Sequence, residues 1–456
     1  MVVSSMEFDL EMRARSTEPT VLVMGMGATG VSCARHFAKR GISVEFADTR
    51  ERPPGMEQIL DVMPDARLHT GRMPRELPET IRRIVVSPGV DLDSPLLADA
   101  SRRNLEVVSD IDLFVAECDA PIVTVTGSNG KSTVASMLGT ILNAVGKRTV
   151  VGGNIGTPAL DLLDPAAEIY VLELSSFQLE RSGPVPAAAS VILNVSPDHL
   201  DQHGTMSAYT AAKARIYLSC DHAVVNRDDP ALARHVPTDT DVMTFGMSAP
   251  AEGEFGIVTT VRGECIALGE DLLLATDELP LLGRHNVSNA MAALALVASV
   301  GGNPAAAAQA LKRCRGLPHR MQVVGEFGSV TWIDDSKATN VGAALMSIAG
   351  VEDPFVLIAG GDAKGASFNE LAELLRGRDC EAILIGQDAE SMAADLRDAC
   401  NVAVVADMTE AVRAAAAIAG PGSSVLLAPA CSSLDMFANF AARGDAFAAA
   451  VRGLGS

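Results

Sequence analysis

The 456-residue sequence has no apolar run of the roughly 18 residues that a membrane helix needs. The longest approach, from Ala290 to Val300, is closed by Gly301 and Gly302. Residues 1–18 carry several charged side chains and no apolar segment of the secretory kind. We therefore predict that they form a loose N-terminal tail, with no signal peptide and no membrane span.

Basic residues are scarce: 36 Lys and Arg face 57 Asp and Glu, for a formal net charge of −21. A nucleic-acid-binding surface needs a basic face, so this class of partner is excluded, whereas a few local cations can still hold a small anionic ligand. The eight cysteines include no C-x-x-C pair. They indicate free thiols in a reducing compartment, so we expect a cytoplasmic protein without a disulfide framework or a zinc site.

The length predicts two to four domains. Apolar strands alternate with helical intervals, which is typical of α/β domains with mostly parallel sheets. We predict a Rossmann-like domain at residues 19–109, a central P-loop-type ATPase domain at 110–315 and a C-terminal Rossmann-like α/β domain at 316–456. The segment 250–280 alternates in short pieces and is interpreted as a small antiparallel insertion.

Residues 121–133 read P-I-V-T-V-T-G-S-N-G-K-S-T, an apolar strand that ends in a glycine turn before a helical stretch. The backbone N–H groups of such a turn suit phosphate oxygens. Lys131 would bridge the outer phosphates, and Ser132 or Thr133 would reach a magnesium ion. Val125 stands where the standard P-loop has its first glycine, so ATP binding is favoured over a motor or a GTPase.

A second glycine pattern, G-x-G-x-x-G, spans Gly25 to Gly30, and Asp48 ends the next strand. Alone, this pattern indicates NAD binding, but the same turn accepts any diphosphate. Because an ATP turn follows, we favour a nucleotide-linked substrate here. A purely structural turn and an NAD(P)-dependent oxidoreductase remain alternatives.

Further polar residues follow the predicted strands. Glu173 ends one strand as a magnesium-ligand candidate, although a helix cap is the simpler interpretation. His199 and His203 are four residues apart but lack a third ligand at a recognisable spacing, so His199 is a better candidate for a magnesium site than for zinc. On periodicity alone, Lys213 is a solvated helix lysine. Polar clusters at strand ends in two domains predict one composite site between them.

Nine motifs occur in this order along the chain: G-S-N-G-K-S-T, E-L-S-S-F-Q-L, D-H-L-D, A-A-K, H-N-x-x-N-A, P-H-R, D-D-S-K-A-T-N, G-G-D-A-K and S-L-D-x-F. By this set of motifs the chain resembles the Mur ligases, most closely the branch that adds D-glutamate, and the resemblance runs from about Val21 to Phe447. The resemblance implies an ATP-dependent ligase of peptidoglycan precursor synthesis. It would join D-glutamate to UDP-N-acetylmuramoyl-L-alanine through an acyl phosphate, giving ADP and phosphate.

The resemblance also implies roles for individual residues. Lys131, His199 and Lys213 are the expected catalytic residues. ATP is expected at Gly127, Asn129, Gly130, Lys131, Ser132, Thr133, Asn286, Arg320 and Asp335. Magnesium is expected at Ser132, Glu173, His199 and Lys213, the last as a carbamate formed with CO2. The UDP-sugar is expected at Thr29, Asp48, Thr49, Arg50, Ser87, Asn154 and Gln178, and the amino acid at Lys337, Thr339, Lys364, Ser433 and Phe440.

Three other functions remain open at this point. Folylpolyglutamate synthetase is another ATP-dependent amide ligase with a similar Gly-Lys turn, but it lacks a first domain of this kind. An oxidoreductase would leave Lys131 and the third domain unexplained. A non-catalytic ATP-binding regulator would not need the polar clusters of the last domain. We expect a monomer that acts on small molecules only.

Overall fold

The computed structural model describes residues 20–74 and 76–455, so the predicted tail at 1–18 lies outside the described residues. The chain forms three β-sheets with helices between their strands. No helix in the described ranges combines the length and apolarity of a bilayer crossing. All eight cysteines are free.

The first sheet has five parallel strands in the order β3-β2-β1-β4-β5, as the βαβ pattern predicts. Its strands are β1 Val21–Met24, β2 Val44–Ala47, β3 Arg67–His69, β4 Arg83–Val86 and β5 Glu106–Val108, and its helices are α1 Ala28–Arg40, α2 Met56–Val62 and α3 Pro95–Arg102. Every residue of β1 is buried, which explains its unbroken apolar sequence.

The second sheet has nine strands in the order β14-β13-β12-β11-β10-β9-β6-β8-β7. Its strands are β6 Ile122–Thr126, β7 Thr149–Gly153, β8 Ile169–Glu173, β9 Ala187–Ile192, β10 Cys220–Asn226, β11 Asp241–Phe245, β12 Phe255–Thr260, β13 Gly263–Leu268 and β14 Asp271–Ala275. Its helices are α4 Asp110–Glu117, α5 Lys131–Ala144, α6 Ser176–Arg181, α7 Leu200–His203, α8 Met206–Ala214, α9 Arg284–Ser299 and α10 Pro304–Leu311. Strand β6 pairs with β9 on one side and β8 on the other, so it is an interior strand whose carboxyl end is flanked by the ends of two parallel neighbours.

The predicted antiparallel insertion is continuous with this sheet. Strands β12, β13 and β14 pair antiparallel with one another, while β12 joins β11 through a parallel bridge between Phe245 and Phe255. The segment therefore extends the edge of the central sheet. Periodicity could not reveal this, because an alternating strand has the same pattern in either setting.

The third sheet has the order β15-β16-β20-β17-β18-β19, and β15 is its only antiparallel strand among the described residues. Its strands are β15 Gln322–Phe327, β16 Val330–Asp334, β17 Phe355–Gly360, β18 Cys380–Ile385, β19 Asn401–Val404 and β20 Ser424–Leu427. Its helices are α11 Val341–Ile348, α12 Asn369–Leu375, α13 Ala389–Leu396, α14 Met408–Ile418 and α15 Phe440–Arg452. Strands β16, β17, β18 and β20 are apolar and mostly buried, as the predicted α/β domain requires, whereas the edge strands β15 and β19 are more exposed.

The central sheet is covered on both faces. Val123 and Val125 point to one face and pack under α5, α9 and α10. On the other face the apolar core continues into the first domain, because Phe37 of that domain belongs to the same buried cluster as Phe114 and Tyr170 of the central domain. Ligand-binding groups are therefore confined to the strand ends.

Candidate active site

The glycine turn after β6 is shaped by positive φ and close packing. Gly130, which caps α5, has φ 83°, and a Cβ atom there would lie 2.5 Å from Oδ1 of Asn289. Only glycine fits both conditions. Helix α5 therefore begins directly at Lys131, and its free N–H groups face the cleft at the end of β6.

Two lysines meet at this turn. Nζ of Lys131 donates to the carbonyl oxygens of Gly127 and Ser128 at 2.8 and 2.9 Å, and Nζ of Lys213 donates to the same Gly127 oxygen at 2.9 Å. Lys213 is 1% exposed and lies 4.4 Å from the ring centroid of Tyr209. Its interpretation as a solvated helix lysine is therefore wrong, because α8 packs this face inward. Burial, followed by the charge of Lys131, lowers the pKa of Lys213 well below its ordinary value.

Glu173 ends β8 as a buried carboxylate. Oε1 accepts a hydrogen bond from Nδ2 of Asn154 at 2.7 Å, whereas Oε2 finds no hydrogen-bond partner in the described part of the chain. An unpartnered buried carboxylate oxygen is costly unless a cation is bound to it, so this atom fits a magnesium ligand. Asn154, expected near the UDP-sugar, lies against this carboxylate. The helix cap belongs to Ser175, whose side chain accepts from the N–H of Gln178.

His199 lies on the loop after β9 with φ 53°. Its ring is edge-on to Phe177, with 5.1 Å between centroids, and Nε2 is 3.6 Å from Oδ2 of Asp198. Burial lowers the pKa of His199, which favours the neutral, metal-binding imidazole. His203 instead lies 3.0 Å from Oγ of Ser176 and stacks on Phe177.

The described residues contain no preformed group of three or more His, Cys, Asp and Glu side chains for a metal. A magnesium ion here would therefore need additional oxygen ligands from phosphates and water. This is how such ions are commonly held beside nucleotides, where one or two carboxylates suffice.

The second part of the candidate nucleotide site comes from the third domain. Nη2 of Arg320 donates to Oγ of Ser132 at 2.8 Å across the cleft. Asp335 is buried, and burial raises its pKa to about 6, while Oγ of Ser347 donates to it. The cleft between these groups is lined by residues of both domains, including Asn129, Gly130, Thr133, Asn286, Asn289, Arg320, Asp335 and Lys337. Six of the nine residues predicted for ATP thus line one cleft, and Ser132 is joined to it by its hydrogen bond from Arg320.

The residues predicted for the amino acid belong to the third domain, and Lys337 among them lines this cleft. Nζ of Lys337 lies 4.2 Å from the ring centroid of Phe440, and burial, with the charges of Arg320 and Lys131, lowers its pKa to about 8. The N–H of Thr339 donates to the carbonyl oxygen of Lys337 at 2.8 Å. Lys364 is exposed after β17, whereas Ser433 is buried after β20. Cations and hydroxyls from three strand ends suit a dicarboxylate.

Arg443 was missed by the sequence analysis because an arginine in a helix carries no signal of its own. It is 1% exposed, and its guanidinium donates to Oγ and the carbonyl oxygen of Ser336 at 3.0 and 2.9 Å. It also donates to the carbonyl oxygens of Cys431 at 3.1 Å and of Gly360 at 3.5 Å. One buried side chain thus connects the loops after β16 and β20 with the carboxyl end of β17.

The residues predicted for the UDP-sugar divide into two sets. Asp48 accepts from the N–H of Met26 at 2.8 Å and from Nε and Nη2 of Arg50 at 2.9 and 2.7 Å, which lowers its pKa to about 2 against the effect of burial. Thr29 lies in the first turn of α1, and Thr49 is exposed between Asp48 and Arg50. These residues lie at the carboxyl ends of β1 and β2, where a nucleotide binds in such sheets.

Ser87 and Gln178 lie on either side of the boundary between the first two domains. Oγ of Ser87 is 3.4 Å from the carbonyl oxygen of Gly25, and Gln178 completes the cap of α6 through its Oε1. Arg181, another residue missed from the sequence, ends α6 and donates to the carbonyl oxygen of Val90 at 3.2 and 2.6 Å. It links the Ser87 loop to the helix that carries Gln178.

Family models match all three parts of the chain. The Mur ligase MurD-like N-terminal domain matches residues 19–109, the Mur ligase middle domain matches 125–297 and the Mur ligase glutamate ligase domain matches 319–431. Proteins named UDP-N-acetylmuramoylalanine--D-glutamate ligase are similar over nearly the whole length. That of Chromohalobacter salexigens is 46% identical over 93% of this chain and 95% of its own, and that of Pseudomonas aeruginosa is 45% identical over 95% and 98%.

Solved structures share the fold. MurF ligase from Thermotoga maritima, in complex with ADP, has a TM-score of 0.62 at 17% identity and covers 90% of this chain and 96% of its own. UDP-N-acetylmuramate-alanine ligase MurC from Thermotoga maritima has a TM-score of 0.60 at 19% identity, over 96% and 100% of the two chains. The three family models and the relatives above 40% identity over almost the full length establish that the chain belongs to the Mur ligase family.

Proposed function

We propose that the protein is an ATP-dependent ligase that joins D-glutamate to UDP-N-acetylmuramoyl-L-alanine in peptidoglycan precursor synthesis. The observation that carries this proposal is a cleft lined by the glycine turn and by Lys337, with the unpartnered carboxylate of Glu173 close enough for its charge to act on Lys131 and Lys337. Relatives that match more than nine-tenths of the chain bear the name of this activity. We further propose domain boundaries after residues 109 and 315, each of which separates two sheets.

The reaction activates a carboxylate that is otherwise a poor electrophile. The carboxylate oxygen of the UDP-sugar attacks the γ-phosphorus of ATP, the bond to the ADP oxygen breaks, and an acyl phosphate forms. The amine of D-glutamate then attacks the acyl carbon, phosphate leaves, and the amine gives up one proton. The chain contributes positioning and charge neutralisation at each step.

Lys131 is suited to neutralise the transferring phosphoryl group. Its ammonium already lies at the turn, where it donates to two carbonyl oxygens that the phosphates would replace as partners. Arg320 reaches Ser132 from the third domain and would approach the same phosphates only when the two domains are together. Loss of one such charge contact is expected to cost about 3 kcal/mol in the transition state, by analogy with single oxyanion donors.

Magnesium would be held by Glu173, His199 and Ser132, with Lys213 as a carbamate. Bound there, it would neutralise the charge that develops on the phosphates. Unpartnered Oε2 of Glu173 supports this assignment. The lowered pKa of Lys213 supports the carbamate, because only a neutral amine adds CO2 and the product is an anion that a cation can use.

The UDP-sugar is assigned to the ends of β1, β2 and β4, where Asp48, Arg50 and Ser87 lie. Lys337, Thr339, Lys364, Ser433 and Phe440 are assigned to D-glutamate. Two carboxylates need cations and donors on two sides, and the strand ends of the third sheet supply both. We propose a monomeric, cytoplasmic enzyme whose other partners are small molecules.

Phosphate release tests this function directly. We expect release from Mg-ATP and UDP-N-acetylmuramoyl-L-alanine only when D-glutamate is added, and not with L-glutamate. Phosphate release that does not require the UDP-sugar, or that is equally fast with L-glutamate, would contradict the proposed substrates. Phosphate release that occurs only with a pteroate substrate would favour the folylpolyglutamate synthetase alternative. Binding of NADH would favour the oxidoreductase alternative.

Two variants test the assigned residues. Lys131→Ala should abolish phosphate release, while Lys131→Arg retains the charge as a matched control. Lys213→Ala should lose activity and recover part of it when short carboxylic acids are added, because such an acid can occupy the position of the carbamate. Full turnover by Lys131→Ala, or no recovery of Lys213→Ala with any acid, would remove the corresponding role.

A further inference from the structure

Helix α11 of the third domain begins at a side chain that makes two different contacts. Oδ1 of Asn340 accepts from the N–H of Ala343 at 2.8 Å and so caps the helix. Nδ2 of the same side chain donates to Oδ2 of Asp198 at 3.0 Å. Asp198 belongs to the loop after β9, in the central domain. One amide thus caps a helix in one domain and bridges to a carboxylate in another.

Backbone packing brings the same two elements together. A Cβ atom on Gly342, in the first turn of α11, would lie 3.0 Å from Oγ and 3.3 Å from Cβ of Ser196. Just beyond the other end of the helix, a Cβ on Gly350 would lie 3.2 Å from Cα of Gly283. Because both contacts leave almost no free space, α11 lies directly against the central domain at both ends.

The bridge joins the two halves of the candidate site. Asn340 follows Lys337 and Thr339, which are assigned to the amino acid, and Asp198 precedes His199, which is assigned to magnesium. A shift of either loop would therefore be transmitted to the other through this hydrogen bond and through the packing of Gly342 on Ser196. No role had been assigned to Asn340 or Asp198 from the sequence.

We propose that Asn340 is a positioning residue that holds the amino-acid domain against the metal-site loop, so that binding of the amino acid and of Mg-nucleotide favour each other. This inference rests on the proposed function for the identity of the two ligands. Such a coupling is reciprocal: the factor by which the nucleotide tightens amino-acid binding equals the factor by which the amino acid tightens nucleotide binding.

The two contacts of Asn340 can be separated by substitution. Serine and aspartate are both good helix caps, so Asn340→Ser and Asn340→Asp keep the bond to Ala343. Serine is too short to reach Asp198, and aspartate places a carboxylate against a carboxylate. A hydrogen bond to a charged acceptor is among the stronger ones, so we expect a loss of coupling of about tenfold.

The experiment measures equilibrium binding of D-glutamate with and without a non-hydrolysable Mg-ATP analogue, with the UDP-sugar present. The wild type should bind D-glutamate more tightly when the analogue is present. Asn340→Ser and Asn340→Asp should reduce this enhancement about tenfold, with little change in melting temperature. Small-angle scattering of the analogue-bound protein should show a larger radius of gyration for both variants.

A swapped pair provides the decisive control. In Asn340→Asp combined with Asp198→Asn, donor and acceptor exchange places, so the double variant should couple the ligands better than Asn340→Asp alone. Gly342→Ala tests the docking independently, because its methyl group would press on Ser196 while the Asn340 cap remains; it should reduce coupling as well. Unchanged coupling and unchanged scattering in Asn340→Ser and Gly342→Ala would overturn the proposal.

These outcomes are distinct from failure of the proposed function. If the wild type releases no phosphate with D-glutamate, the assigned substrate is wrong. Scattering of the analogue-bound variants still reports whether Asn340 holds the two domains together. If release requires D-glutamate but coupling is the same in all variants, the function stands and the role of Asn340 is wrong.

Discussion

Lys131 and Lys213 donate to one carbonyl oxygen, that of Gly127, at 2.8 and 2.9 Å. Their Nζ atoms are therefore no farther apart than the sum of these distances, 5.7 Å. Two like charges at that separation repel by about 3 kcal/mol at an effective dielectric constant of about 20. Because Lys213 is also almost fully buried, we expect its amine to be the one that stays neutral.

Replacing Lys131 with methionine should therefore reduce carbamate formation at Lys213. The substitution removes the repulsion that keeps the Lys213 amine neutral, and it removes the cation that would neutralise the carbamate. Both effects disfavour the carbamate. An interaction of about 3 kcal/mol corresponds to as much as a hundredfold change in the equilibrium constant for carbamate formation.

The assay is carbon NMR of the protein with labelled bicarbonate and magnesium. The wild type should show a carbamate signal that is absent from Lys213→Arg, which assigns it, and much weaker in Lys131→Met. A signal of equal strength in Lys131→Met would refute the argument from like charges. No Lys213-dependent signal in the wild type would refute the carbamate itself.

Three other predictions concern neighbouring groups. Glu173→Gln should raise the magnesium concentration needed for half-maximal activity at least tenfold. It should not lower the melting temperature, because Oε2 has no partner among the described residues. An unchanged magnesium dependence would exclude Glu173 as a ligand. At pH values above 8 the KM for D-glutamate should increase, because the pKa of Lys337 is about 8 and its ammonium then loses the charge that binds a carboxylate. A constant KM from pH 7 to 9.5 would contradict this role of Lys337. Gly444→Ala should destabilise the protein by about 1 kcal/mol. Alanine gains about 1 kcal/mol of helix propensity over glycine. Its methyl group, however, would lie 2.2 Å from Nδ1 of His319 and would break the hydrogen bond between that nitrogen and Asp334, which costs more than the gain. A raised melting temperature would show that the ring can move aside.

Much of the architecture could be predicted from the sequence because the strands are buried on both faces. Such strands read as short apolar runs, as in β1 and β17, and a polar residue marks the carboxyl end of several of them. Edge strands were harder to find. Strand β19 reads N-V-A-V and is mostly exposed, so its sequence does not differ from that of a loop.

Candidate site residues could be predicted from the sequence where they belong to motifs at strand ends. They could not be predicted where their contacts are with residues far away in the sequence. Lys213 has the periodicity of a surface residue, and only the fold places it under the glycine turn. Asn340 belongs to a quoted motif, but its bond to Asp198 spans 142 positions, which local spacing does not reveal. Arg181 and Arg443 connect separate loops chiefly by donating to backbone carbonyls, and such contacts leave no signal in the sequence.

The guanidinium of Arg443 has a consequence for inhibition. Since one buried side chain connects the loops after β16 and β20 with the carboxyl end of β17, these segments cannot readily move independently. Because these segments are connected before any ligand arrives, binding a ligand to them should carry little cost of ordering the backbone. A rigid compound shaped to this preformed surface should therefore lose less affinity to ordering than one that must draw mobile loops around itself.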